Sequence, residues 1–164
     1  MMQKIIFLDI DGPVITDPLF FLSHDASVKR SVLNTQALAY LVALCDAANA
    51  KIVTNSTHNN HVVEHRTLKD DLIRWGVDEK YFHKNWRTQF PEYWGDNGRL
   101  RGIHDWMLEN NGEHVDWICF DDAFFTDSER LIVVDARLGI DYKAYSQALK
   151  YWGISEPRLD VPLW

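Results

Sequence analysis

Along the chain, apolar residues alternate between short unbroken runs and stripes at helical spacing. Lys4 to Leu8 (KIIFL) is a continuous apolar run, as expected of a strand covered on both faces. Lys51 to Thr54 (KIVT), Val115 to Phe120 (VDWICF) and Leu131 to Val134 (LIVV) read the same way. Between them, Leu33, Ala37, Leu41, Leu44, Cys45 and Ala48 keep helical spacing and predict a helix from Ser31 to about Asn49. Leu68, Leu72 and Trp75 mark a second helix that stops at Gly76, and Ile103, Trp106, Met107 and Asn110 a third, ended by Asn111-Gly112. A last helix runs from about Tyr142 to Trp152. Residues 13–29, with Pro13, Pro18, Ser23 and Asp25 around Leu19-Phe20-Phe21-Leu22, read as an irregular excursion. Residues 77–100 show no clear period but are rich in aromatics, and Asn55-Ser56-Thr57 are good helix-capping residues. Strands alternating with helices predict a three-layer α/β/α, Rossmann-like fold with a mainly parallel central sheet. The insertions on either side of the second strand are too short for a large cap domain.

A hydrophobic fraction of 46% can fill a core, which excludes a disordered chain. The 164 residues are read as one domain, with a core of about 3–150 and an extension over 151–164 that carries Leu159, Val161 and Trp164. No apolar run approaches the roughly 18 residues of a membrane span, and the N-terminus lacks a signal-peptide pattern, so the expectation is a cytoplasmic protein without a membrane partner. Seventeen Lys and Arg against 24 Asp and Glu give a net charge of −7, which disfavours wrapping of long nucleic acid. A small phosphorylated substrate held through a metal ion remains compatible with that field. Cys45 and Cys119 both sit in apolar runs and are expected to be buried free thiols.

In open parallel sheets, chemistry collects beyond the C-terminal ends of the strands. Here the first strand ends in Asp9-Ile10-Asp11-Gly12, the second in Thr54-Asn55 and the third in Asp121-Asp122. Asp after a strand is commonly a turn former, and Asp-Gly is a common turn. Yet chance placement of these residues would give Asp-x-Asp-Gly only ~0.09 times in such a chain, and about 0.004 times after an apolar run. Four carboxylates meeting at one rim repel each other unless a cation sits among them. Oxygen-only ligation suits Mg²⁺, which takes one or two carboxylates together with substrate phosphate. The pattern therefore predicts a phosphate ester handled with Mg²⁺, with Asp9, Asp11, Asp121 and Asp122 as candidate ligands.

Asp9-Ile10-Asp11-Gly12, Ile52-Val53-Thr54 and Ile118 to Asp122 resemble motifs I, II and IV of the haloacid-dehalogenase-like (HAD) superfamily. Arg101-Gly102-Ile103 leading to Trp106, the run Arg130 to Asp135, and Leu138-Gly139 resemble the small capless subgroup named for Swiss Army Knife RNA-repair proteins. The likeness covers about residues 3–150. It implies that Asp9 is the nucleophile, forming an aspartyl-phosphate. Asp11 would protonate the leaving oxygen and then deprotonate water, its backbone carbonyl also reaching the metal. Thr54 would hydrogen-bond the phosphoryl oxygens, and Asp121 and Asp122 would hold Mg²⁺.

The resemblance also requires a Lys or Arg near the start of a helix. Arg101 fits best, since it opens the helix leading to the Asp121 strand; Lys84, Arg87 and Arg99 are its rivals. Asn55, Lys84 and Arg87 join Thr54 as candidates for holding the substrate. This chain departs from the pattern in having Pro13 after the glycine, and His58 and its neighbours where the subgroup carries a Trp-Arg pair. His61-Val62-Val63-Glu64-His65 matches a zinc-peptidase pattern, H-x-x-E-H, but no third ligand is placed and a polar helix face explains it as well. The aromatic stretch Tyr81 to Trp94 is either loop packing or a pocket wall, and Leu19 to Leu22 a candidate lid. The expected function is hydrolysis of a phosphomonoester, a small phosphorylated metabolite such as a nucleoside monophosphate. The alternatives are a polynucleotide end phosphatase and a non-catalytic phosphate-ligand-binding protein.

Overall fold

The computed structural model describes residues 2–16, 33–60, 65–89 and 98–156. Within them five strands, β1 (Gln3–Leu8), β2 (Ala50–Thr54), β3 (Phe82–Arg87), β4 (Val115–Asp121) and β5 (Leu131–Val133), form one sheet in the order β3-β2-β1-β4-β5. Every neighbouring pair is parallel. Four α-helices accompany them among the described residues: α1 (Thr35–Ala48), α2 (Leu68–Arg74), α3 (Gly98–Glu109) and α4 (Tyr142–Tyr151).

Alternation within the strands explains the unbroken apolar runs. Ile6, Leu8, Ile52, Ile118, Phe120 and Ile132 share one core with Ala37, Leu41 and Leu44 of α1 and with Tyr145, Ala148 and Leu149 of α4. Ile5, Phe7, Val53, Trp117, Cys119 and Leu131 point the other way, onto Ile103 and Trp106 of α3. Phe7 is gripped there edge-on by Trp106 and Trp117, with ring centroids 5.3 and 5.6 Å away. A strand with both faces covered has no polar face to show. The three-layer α/β prediction holds, and no cap domain occurs among the described residues.

Local chemistry moves several predicted boundaries. Asn34, not Ser31, starts the first helix, because its side chain accepts the amide hydrogens of Gln36 and Ala37. The third helix is already wound at Gly98, ahead of the Arg101 start expected from sequence. The strand β3, Phe-His-Lys-Asn-Trp-Arg, lies in the stretch where no period was visible. It is an edge strand that fully buries only Phe82 from its own length, so its polar residues are at ease and give no apolar signature. Its register also slips, since Ile52 pairs with Phe82 while Thr54 pairs with Arg87.

Cys45 and Cys119 are free and buried. No helix among the described residues is long and apolar enough to cross a membrane. Leu19 to Leu22, the aromatics Phe90 to Trp94, His61 to Glu64 of the zinc-like pattern and the tail 157–164 lie outside the described residues.

The strand order places the site. From β1 the chain steps outward through β2 to β3, then crosses over to β4 on β1's other side. Connections diverge above β1 and β4, and such a switch point leaves a crevice beyond the strand ends.

Candidate active site

Asp9 directly follows β1, and its amide donates to the Phe120 carbonyl at 3.0 Å, extending the ladder one residue into the crevice. The chain then folds back on itself: Val14 and Ile15 amides donate to the Ile10 carbonyl, and Gly12 donates to the Ile15 carbonyl at 2.8 Å. Gly12 has φ +86°, and a Cβ there would meet Asp122 Cβ at 2.5 Å. The glycine of Asp-x-Asp-Gly thus lets the first acidic pair close on the second. Pro13, the departure noted in the sequence, offers its carbonyl to the Ile140 amide at 2.9 Å and ties this turn to the 135–140 segment.

Asp9, Asp121 and Asp122 each offer a carboxylate oxygen within 4.8 Å of the others. Asp9 and Asp121 are buried, while Asp122 is exposed. Arg99 joins the two buried ones, donating from Nη1 to Asp9 Oδ2 at 2.5 Å and to Asp121 Oδ2. Burial raises the Asp9 pKa, against the opposing pull of Arg99, the Ile10 amide and the Ser56 hydroxyl. Burial, followed by the charge of Asp9, pushes Asp121 up to about 7 despite Arg99 and the Ala123 amide. Burial by itself would lower the Arg99 pKa; the carboxylates outweigh it and raise it. Two buried acids sharing one guanidinium, with a third carboxylate at the mouth, are a hard-oxygen donor set short of positive charge. That set fits a divalent cation such as Mg²⁺.

Asp11 stands apart from this cluster. Its Oδ2 lies 2.9 Å from His58 Nε2, and its buried Oδ1 has no hydrogen-bond partner among the described residues.

Several candidates are placed elsewhere than the sequence reading had them. Arg101 is a correction: its side chain is 71% exposed and faces Asp105 at 3.6 Å, whereas Arg99 reaches the carboxylates. The reason is helical phase. Positions 99, 103 and 106 share the buried face of α3, and a residue two positions on from 99 points away from it. Thr54 is a second correction. Its hydroxyl donates to Asn59 Oδ1 at 2.6 Å and also lies 3.3 Å from the Trp86 carbonyl, so it is committed within the fold. The buried Ser56, two residues on, is the hydroxyl whose presence lowers the Asp9 pKa. The register could have revealed this, because Leu8 pairs with Thr54, which puts Asp9 level with Asn55 and leaves Ser56 beyond the rim.

Asn55 is fully buried and acts as a brace: it accepts from Thr88 Oγ1 at 2.8 Å and donates to the Arg99 carbonyl at 3.4 Å. Lys84 and Arg87 line a groove of about 300 Å³ between β3 and α3, with Trp86, Asp105 and Glu109. Arg87 donates to the Asn59 carbonyl at 2.9 Å and lies over the Trp86 ring.

Comparison with known proteins gives one family: the model of the HAD domain in Swiss Army Knife RNA repair proteins matches residues 5–144. The curated proteins and the solved structures yield no match. The family match spans the whole sheet, from β1 into α4, and includes both acidic pairs, Ser56 and Arg99. This chain belongs to the HAD domains of the Swiss Army Knife type, a family of phosphatase-type hydrolases.

Proposed function

We propose that the protein is a Mg²⁺-dependent phosphomonoester hydrolase that works through an aspartyl-phosphate on Asp9, acting in the cytoplasm on a small phosphorylated metabolite such as a nucleoside monophosphate. The observation that carries this reading is the buried Asp9 carboxylate, fixed by Arg99 beside Asp121 at the switch point of the sheet.

Asp9 attacks phosphorus as the bond to the leaving oxygen breaks. Asp11, one strand-end turn further on, gives its proton to that oxygen and then takes one from the water that releases phosphate. Arg99 holds the nucleophile in place, and Arg99 and Ser56 offer donors to the phosphoryl oxygens. A divalent ion held by Asp9, Asp121 and Asp122 would supply the positive charge that this acidic rim lacks. Asn55 keeps the first turn of α3, and with it Arg99, in register.

Replacing Asp9 by Asn preserves shape and hydrogen bonding but removes the nucleophile. Asp9→Asn is expected to abolish hydrolysis of a mononucleotide and of p-nitrophenyl phosphate, with the fold intact by circular dichroism. Turnover at the parent rate overturns the reading, as does parent activity that survives EDTA.

A second reading, removal of a terminal phosphate from a polynucleotide, is favoured by Lys84 and Arg87 beside Trp86 on β3 and by the company this family keeps in RNA repair proteins. The net charge of −7 opposes it. A steep fall of kcat/KM with salt on a phosphate-ended oligonucleotide, absent with the mononucleotide, would select it.

A further inference from the structure

The segment leaving β2 reaches the first acidic pair: His58 Nε2, two residues after Ser56, lies 2.9 Å from Asp11 Oδ2. The turn between them is fixed locally, since the His58 amide donates to Ser56 Oγ at 3.3 Å. The His58 side chain is only 16% exposed, whereas that of Asp11 is 37% exposed. Among the described residues, His58 is the partner that holds the Asp11 carboxylate, because Oδ1 has none. A carboxyl group with a free χ2 samples many directions, and general acid catalysis needs one of them.

The geometry points to His58 as a positioning residue for Asp11: with Nε2 protonated, it donates to Oδ2 and fixes the orientation in which the carboxyl group meets the leaving oxygen. This rests on the phosphoryl-transfer reading given above and assigns a role within it. In the first half-reaction the Asp9–phosphorus bond forms and the bond to the leaving oxygen breaks, that oxygen taking the proton from Asp11. In the second, water oxygen bonds phosphorus, its proton returns to Asp11, and the Asp9–phosphorus bond breaks to release phosphate. His58 exchanges no proton in either half. Its contribution is therefore largest where the leaving oxygen most needs protonation.

The test compares an alkyl phosphate, whose alkoxide leaves poorly without a proton, with p-nitrophenyl phosphate, whose phenolate leaves unaided. His58→Ala is expected to lower kcat/KM, which covers the steps up to departure of the leaving oxygen, about 10- to 100-fold on the alkyl phosphate and no more than about 3-fold on p-nitrophenyl phosphate. His58→Gln, which places an amide N–H near the position of Nε2, is expected to recover most of the loss. His58→Leu carries the same comparison should the alanine variant fail to fold. Equal losses on both substrates, or no loss on either, overturn the assignment, as does a glutamine variant no better than leucine. Asp9→Asn separates the two levels: full activity there removes the reaction itself, whereas a dead Asp9→Asn with equal His58 losses removes only the role of His58.

Discussion

The ends of β1 and β4 and the ends of β2 and β3 both place small polar residues beyond the sheet, yet they reach opposite electrostatic outcomes. Around β2 and β3 the buried polar groups satisfy one another. Asn59 Nδ2 donates to the carbonyls of Thr54 and Thr88 at 2.9 and 3.0 Å, its Oδ1 accepts from Thr54, and Thr88 Oγ1 donates to Asn55. Around β1 and β4 two buried acids depend on one arginine, and a third acid waits at the mouth. A neutral network that closes on itself gains stability and has nothing left to offer a ligand. A charged one left short of a cation stores a binding site. The polar rim is thus divided into a brace and a reactive centre.

The sharpest way to break that division is to move charge at α3. Arg99→Gln is expected to lower kcat/KM by about 10²–10³-fold, the scale seen when one donor to a developing anion is lost. Arg101→Gln, whose parent side chain is exposed, should stay within about 3-fold. Steady-state kinetics on p-nitrophenyl phosphate decide it. The reverse ranking would put the reactive cation on the wrong face of the helix and dissolve the contrast.

A smaller effect separates Ser56 from Thr54. Ser56→Ala removes the hydroxyl that lowers the Asp9 pKa and is expected to cost about 10- to 100-fold in kcat with little change in the melting temperature. Thr54→Val leaves Asn59 Oδ1 without its donor in a dry site, so it should cost about 1–3 kcal/mol of stability. Its kcat should remain within about 3-fold of the parent. Kinetics paired with urea unfolding distinguish the two, and a Thr54 variant that is stable but inactive would return the hydroxyl to the site.

The same contrast explains what the sequence disclosed. Asp9 and Asp121 follow strands whose buried faces leave no doubt about direction, so their convergence could be anticipated from 112 residues apart once the sheet was read as parallel. Edge position hid β3, because a strand such as Phe82–Arg87 needs few apolar residues. Arg99 lies in the first turn of α3, ahead of the start that the apolar spacing marks, yet its spacing to Ile103 and Trp106 carries the phase. Ser56 reads as part of a helix cap, and His58 stands where the family pattern has a Trp-Arg pair. Their places beside Asp9 and Asp11 depend on how β2 pairs with β1, and spacing along a single chain does not encode that register.

The mildest test is thermodynamic and needs no substrate. Asp9 and Asp121 both have raised pKa values in the folded protein, Asp121 at about 7 against an ordinary 3.8. The folded state therefore binds these protons more tightly than the unfolded chain does. Their contribution to stability is fully present below pH 3.8 and is lost as pH rises through about 7. No group in the Thr54–Asn59–Thr88 network titrates, so the brace adds nothing to this slope. In EDTA, the melting temperature of the parent minus that of Asp121→Asn is expected to fall between pH 4 and pH 8, a subtraction that cancels the histidines and surface acids. Each 1 kcal/mol of this linkage shifts the melting temperature by roughly 2–4 °C in a chain of this size. Mg²⁺ should reverse the trend, stabilising the parent more at pH 8 than at pH 5, because the ion competes with protons for the same oxygens. A flat difference in EDTA would mean that Arg99 alone neutralises the buried pair, and the rim above β1 and β4 would then be as self-sufficient as the one beside it.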